Sequence, residues 1–130
     1  MIPNIFVSAF ITKNATASTR RVINSLFAGK IKPLYNDEII EEYSEVLHRS
    51  KFHLADKDIQ RLLYFIQTNG IDSSRFPYDG DMPDEDDRVF YEVALSEEDS
   101  FLVTGNLKHF PKTPKVVTAA KMMEILDHEE

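Results

Sequence analysis

Short apolar runs rich in β-branched and aromatic residues alternate along this chain with segments of helical period. That alternation restricts the fold more than any other feature. The strand-like runs are NIFVSAFI at 4–11, IKPLYN at 31–36, SFLVTG at 100–105 and KVVT at 115–118. Between them, residues 17–29 place Val22, Ile23, Leu26 and Phe27 on one face and then meet Gly29, a helix stop. Residues 36–49 put Ile39, Ile40, Tyr43, Val46 and Leu47 at helical spacing behind Asn36 as N-cap, with Asp37 and Glu38 in the first turn, where the helix dipole favours them. Residues 56–70 carry a stripe of Ile59, Leu62, Leu63 and Ile66, with Asp56 as the expected cap and an Asn-Gly end. Helices are likewise expected over 87–98 and over 118–128, the latter capped by Thr118. Pro33 is expected to keep its strand at a sheet edge or to sit at a strand end. This order predicts an α/β domain with a mainly parallel sheet covered by helices, in which sites lie at the carboxyl ends of the strands.

Composition narrows the class. With 130 residues, 42% hydrophobic and 28% charged, the chain is one globular domain, 1–130, long enough to bury a core. Having no cysteine, it excludes disulfides and thiolate-bound zinc. No apolar run is long enough to span a membrane, and the first residues lack the basic region and cleavage site of a signal peptide. A cytoplasmic protein without a membrane partner is the expectation. The net charge of −7 argues against a broadly basic nucleic-acid surface and leaves room only for a local one. Phosphate loops and nucleophile elbows are absent from the sequence, and the four histidines show no metal-ligand spacing.

One stretch stands against electrostatic economy. DGDMPDEDD, residues 79–87, puts six carboxylates into nine positions directly before the apolar helix RVFYEVAL. Solvent, a helix N-terminus or a metal ion must offset that repulsion. A solvated loop with Asp86 as cap is one reading. An EF-hand is a poor one, since the ligand alternation, central glycine and terminal glutamate do not fit. A metal site assembled with acids from distant elements is the third.

The segment DEDDRVFYEVALSEEDSFLVTGNLKHFP resembles the second half of a PIN domain, the fold of many bacterial toxin ribonucleases of toxin–antitoxin pairs. PNIFVSAFI is similar to that family's opening, and NDEIIEEYSEVLHRSKF to its middle helix. The resemblance runs over nearly the whole chain in the correct order. It implies a three-layer α/β/α sandwich and hydrolysis of RNA phosphodiesters with Mg²⁺ or Mn²⁺ held by four acids. It also implies a cognate antitoxin and a homodimer. Carried over, the four acid positions fall on Ile2, Glu42, Asp87 and Asn106, with Asp84 as an auxiliary acid. Thr104 at the strand end would orient a bound water or else bond to backbone, and Asn4 would fix the first loop. Arg20, Arg21, Lys108 and His109 would contact phosphates beside the acids, with plain surface solvation the reading that stands against this for any one of them.

Two of the four acid positions depart from the family. Ile2 stands in place of the first aspartate and Asn106 in place of the fourth. The chain also begins closer to its first strand than the family does, so a shortened or truncated strand is expected there. Bland readings stand beside the others: Asn106 as a turn residue after Gly105, and Glu42 as an exposed helix residue or the partner of Arg49 or Lys30. Both a weakened metal-dependent ribonuclease and a degenerate PIN domain that binds RNA or protein follow from this pattern.

Overall fold

The computed structural model describes residues 4–7, 17–49, 54–105 and 107–128. Its elements run β1 (Asn4–Val7), α1 (Ala17–Phe27), β2 (Lys32–Tyr35), α2 (Asp37–Leu47), α3 (Asp56–Asn69), β3 (Ile71–Asp72), α4 (Arg88–Leu95), β4 (Ser100–Val103), β5 (Val116–Val117) and α5 (Ala119–His128). The strands form one sheet in the order β3-β2-β1-β4-β5, and all pairs are parallel. Central β1 pairs along its four residues with β4, from Asn4 opposite Ser100 to Val7 opposite Val103.

Alternation along the strands divides the core into two. Leu102 and Val116 belong to a cluster with Ile39, Tyr43, Ile59 and Phe90, from α2, α3 and α4. Their neighbours Val103 and Val117 join Val22, Leu26, Met122 and Met123, from α1 and α5. Successive strand side chains point to opposite faces, so this division makes the expected α/β/α sandwich. No described helix is long and apolar enough to cross a membrane.

Local signals hold unevenly. Asn36 caps α2 as expected, its side chain accepting the Ile39 N–H at 2.9 Å, and Thr118 accepts the Lys121 N–H at 3.1 Å. Gly29 has φ +79° just beyond α1, the left-handed backbone that glycine adopts without strain. Gly70 ends α3 for a different reason. Its φ is −93°, but a Cβ there would stand 2.5 Å from the carbonyl oxygens of both Ile66 and Pro33. Asp56 does not cap α3: that helix has no side-chain cap, and Asp56 pairs instead with His48 at 2.6 Å. β2 is an interior strand rather than an edge. Pro33 precedes Leu34 and Tyr35, the two residues that pair with β3, so its missing N–H removes no bond to that neighbour.

Helix α4 is nearly enclosed, with Phe90, Tyr91, Glu92, Val93 and Ala94 all buried. A buried carboxylate needs partners, and Glu92 has them. Its Oε1 accepts from Arg75 Nε at 2.7 Å and its Oε2 from the Tyr78 N–H at 2.8 Å. Burial pushes the Glu92 carboxyl up, but the Tyr78 N–H and the Arg75 and Arg88 guanidiniums outweigh it and hold the group below its ordinary value. Arg75 reaches on to Glu38 Oε2 at 2.8 Å, tying the loop after β3 to both α2 and α4.

Glu92→Gln keeps the shape and removes the charge that these donors need. The expected cost is about 1–3 kcal/mol, read in thermal denaturation as a Tm lower by roughly 5–10 °C. An unchanged Tm would mean that the Arg75–Glu38 pair alone holds the loop.

Candidate metal centre

The acidic stretch is folded by its own first aspartate of the DEDD run. Asp84 is extended, and its Oδ1 accepts the Asp86 N–H at 3.0 Å, which starts a 3₁₀ turn over Glu85–Asp87 that leads into α4. The capping residue is therefore Asp84 and not Asp86. Glu85 lies against Arg88, with both carboxylate oxygens 2.7 Å from guanidinium nitrogens. Arg88 also donates to the Tyr78 and Gly80 carbonyls, which closes the loop onto the start of the helix.

This packing sets three ligand-type atoms together. His109 lies on a 3₁₀ turn over Leu107–His109, beyond the carboxyl end of β4. Its Nδ1 is 3.0 Å from Asp87 Oδ2 and 3.7 Å from Asp84 Oδ2. One ligand atom each of Asp84, Asp87 and His109 lies within 4.8 Å of the others. Burial pushes the Asp87 carboxyl above its ordinary value, the Asp84 charge adds to this, and His109 partly offsets both. Two carboxylates at such range are costly to ionise together, and a divalent cation between them removes the cost. Neighbouring ligands around a Mg²⁺-sized ion, bonded at about 2.1 Å, stand about 3 Å apart. The Asp84 and Asp87 oxygens with their imidazole neighbour fit such an ion.

Glu42 lies outside that trio but borders it. It is half-buried on α2, in a groove of about 330 Å³ that it lines with Glu38, Glu41, Glu45, Glu85 and Asp86. Burial, then the charges of Glu45 and Asp86, push its carboxyl up; Arg49 pulls it down, and Asp87 adds a further push. Glu42 thus feels the charge of Asp87, although the groove it lines reaches Asp86 and not Asp87. Arg49 itself pairs with Glu45, at 3.8 Å.

The remaining candidates divide. Thr104 is buried at the end of β4, where its N–H donates to the Val117 carbonyl at 2.9 Å. Asn4 is the first residue of β1, opposite Lys32 and Ser100. Its side chain, like Ile2 and Asn106, lies outside the described residues. Arg20 and Lys108 are exposed, and Arg21 turns toward α5, 3.5 Å from Asp127. Sequence reasoning placed His109 only among the phosphate contacts. Its position just past a strand's carboxyl end, the edge where α/β sites form, was the signal for a closer role.

Compared with known families, the chain matches the PIN domain over residues 3–108. No curated protein and no solved structure matches it.

Without divalent cations, Asp87→Asn and Glu42→Gln should each raise Tm at pH 7 by a few degrees. Both carboxyls lie above their ordinary values of 3.8 and 4.5, so the folded protein holds these protons more tightly than the unfolded chain does. The stability contributed by protonation is fully present below those ordinary values and is lost as pH rises through the raised ones. The gain from either substitution should therefore vanish below about pH 4. Melting curves at pH 7 and at pH 3.5 check this, and a destabilised Asp87→Asn at pH 7 would contradict it.

Proposed function

Because this chain belongs to the PIN domain family, we propose that it is a Mg²⁺- or Mn²⁺-dependent ribonuclease, the toxin of a toxin–antitoxin pair, with activity weakened by the residues at positions 2 and 106. The observation that carries the reading is the convergence of Asp84 and Asp87 with His109, near enough to Glu42 for it to feel the Asp87 charge, in a chain that matches the family over residues 3–108. RNA and a cognate antitoxin are its partners in this reading, a homodimer its assembly and the cytoplasm its place.

Glu42, Asp84 and Asp87 hold the ion, with Asn106 as a further oxygen donor. When bound, the ion offsets phosphate charge and supplies an activated water for attack on phosphorus. The chain's own part is to fix these acids. Asp84 Oδ1 is held by the Asp86 N–H, so its other oxygen is presented to the site. Asp87 begins a helix whose far side is locked into the core. Thr104, buried at the strand end, orients a water beside the acids. An amide at position 106 gives coordination without charge, and Ile2 gives neither, so affinity and water activation both fall.

A second reading, a degenerate PIN domain that binds RNA or protein, is favoured by those same two residues. Incubation with a single-stranded RNA pool and Mn²⁺ separates the two. The expected result is slow cleavage, abolished by EDTA and by Asp87→Ala. Asn106→Asp, joined to Ile2→Asp in a chain extended at its N-terminus, should raise the rate by about tenfold or more, roughly 1.4 kcal/mol of barrier. A restored protein that binds Mn²⁺ and cleaves nothing would leave the binding module in place of the nuclease. Rapid cleavage by the unaltered chain would show that Asn106 and Asp84 suffice.

A further inference from the structure

His109 stands 22 residues after Asp87 and arrives on a separate 3₁₀ turn, yet its Nδ1 faces both site aspartates. Each aspartate is pre-set toward it. Asp84 has one oxygen held by the Asp86 N–H and presents the other at 3.7 Å, while Asp87 presents Oδ2 at 3.0 Å. The first is about 0.7 Å wider than, and the second equal to, the roughly 3 Å between neighbouring ligands around a small divalent ion; at the second distance the imidazole and Asp87 share a hydrogen bond. The imidazole is half-buried, and the turn that carries it begins at Leu107, past the end of β4 at Val103, and is followed by buried Phe110.

We propose that His109 is a metal ligand of this site, giving an Asp84–Asp87–His109 set with one nitrogen donor that favours Mn²⁺ over Mg²⁺. The inference rests on the metal-dependent reading above and deepens it. Mg²⁺ is a hard ion that prefers oxygen and sheds water reluctantly, whereas imidazole nitrogen is a good donor to first-row transition ions. A nitrogen ligand therefore separates two ions that an all-carboxylate site treats alike.

The test uses the full chain loaded with Mn²⁺. Pulsed electron paramagnetic resonance should detect modulation from a directly bound imidazole nitrogen, and that modulation should disappear in His109→Asn. Calorimetry on His109→Asn should show Mn²⁺ affinity lower by about tenfold or more, with Mg²⁺ affinity little changed. His109→Asp supplies oxygen in place of nitrogen. It should keep a bound ion, lose the nitrogen modulation and shift preference toward Mg²⁺. Mn²⁺ bound without nitrogen modulation, or modulation surviving in His109→Asn, overturns the assignment while leaving a carboxylate metal site intact. A chain that binds no Mn²⁺ overturns both this assignment and the metal-dependent reading.

Discussion

Two arginines hold the acidic loop against the body of the protein, and the site depends on them. Arg75 joins buried Glu92 to Glu38, and Arg88 joins Glu85 to the carbonyls of Tyr78 and Gly80. Of the six carboxylates in residues 79–87, Glu85 is offset directly by Arg88, and the α4 N-terminus offsets part of the remaining charge, while Arg75 pairs with acids outside the stretch. The compensation is selective. Glu85 and Glu92 are drawn below their ordinary values, whereas Asp87 is left above its own. The loop is thus neutralised where it is structural and left strained where it meets His109.

That division follows from topology. The chain runs outward from β1 to β2 and β3, then returns to the other side of β1 as β4 and β5. The reversal leaves a crevice at the carboxyl ends of β1 and its neighbours, the usual location of a site in an open parallel sheet. α2 leaves β2 at that edge and carries Glu42. The turn after β4 carries His109, and α4, which leads on to β4, begins just after Asp87. Residues distant in sequence meet because three separate elements end or start on one edge.

How much of this was legible in the sequence depended on the range of the cause. The helices were readable because their signals are local: a 3.6-residue apolar stripe, the Asn36 cap, and Gly29 beyond α1. Two-residue β3 was missed, since a strand that short has no period of its own and exists only by pairing with Leu34 and Tyr35. Asp56 was misread for a similar reason, because its imidazole partner, His48, lies just beyond the end of a different helix. Asp84 and Asp86 are equivalent as letters, and only the turn geometry chooses which one caps. Glu92 looked like one more polar residue in a helix. Nothing nearby in sequence shows that Arg75 and the Tyr78 N–H come to meet it.

Charge also bears on the proposed approach of a phosphodiester. The whole chain carries −7, and the groove beside the site is lined mainly by carboxylates, so a bare site repels a phosphodiester. With Glu42, Asp84 and Asp87 ionised, a bound divalent cation brings the local sum to −3 + 2 = −1. A neutral imidazole adds coordination without adding to that deficit, which a fourth carboxylate would deepen to −2. Phosphate approach is therefore easier with His109 at the ion than with another acid there. A nitrogen in the donor set then has two effects from one substitution of chemistry: it changes which ion is held, and it lowers the electrostatic barrier to the substrate.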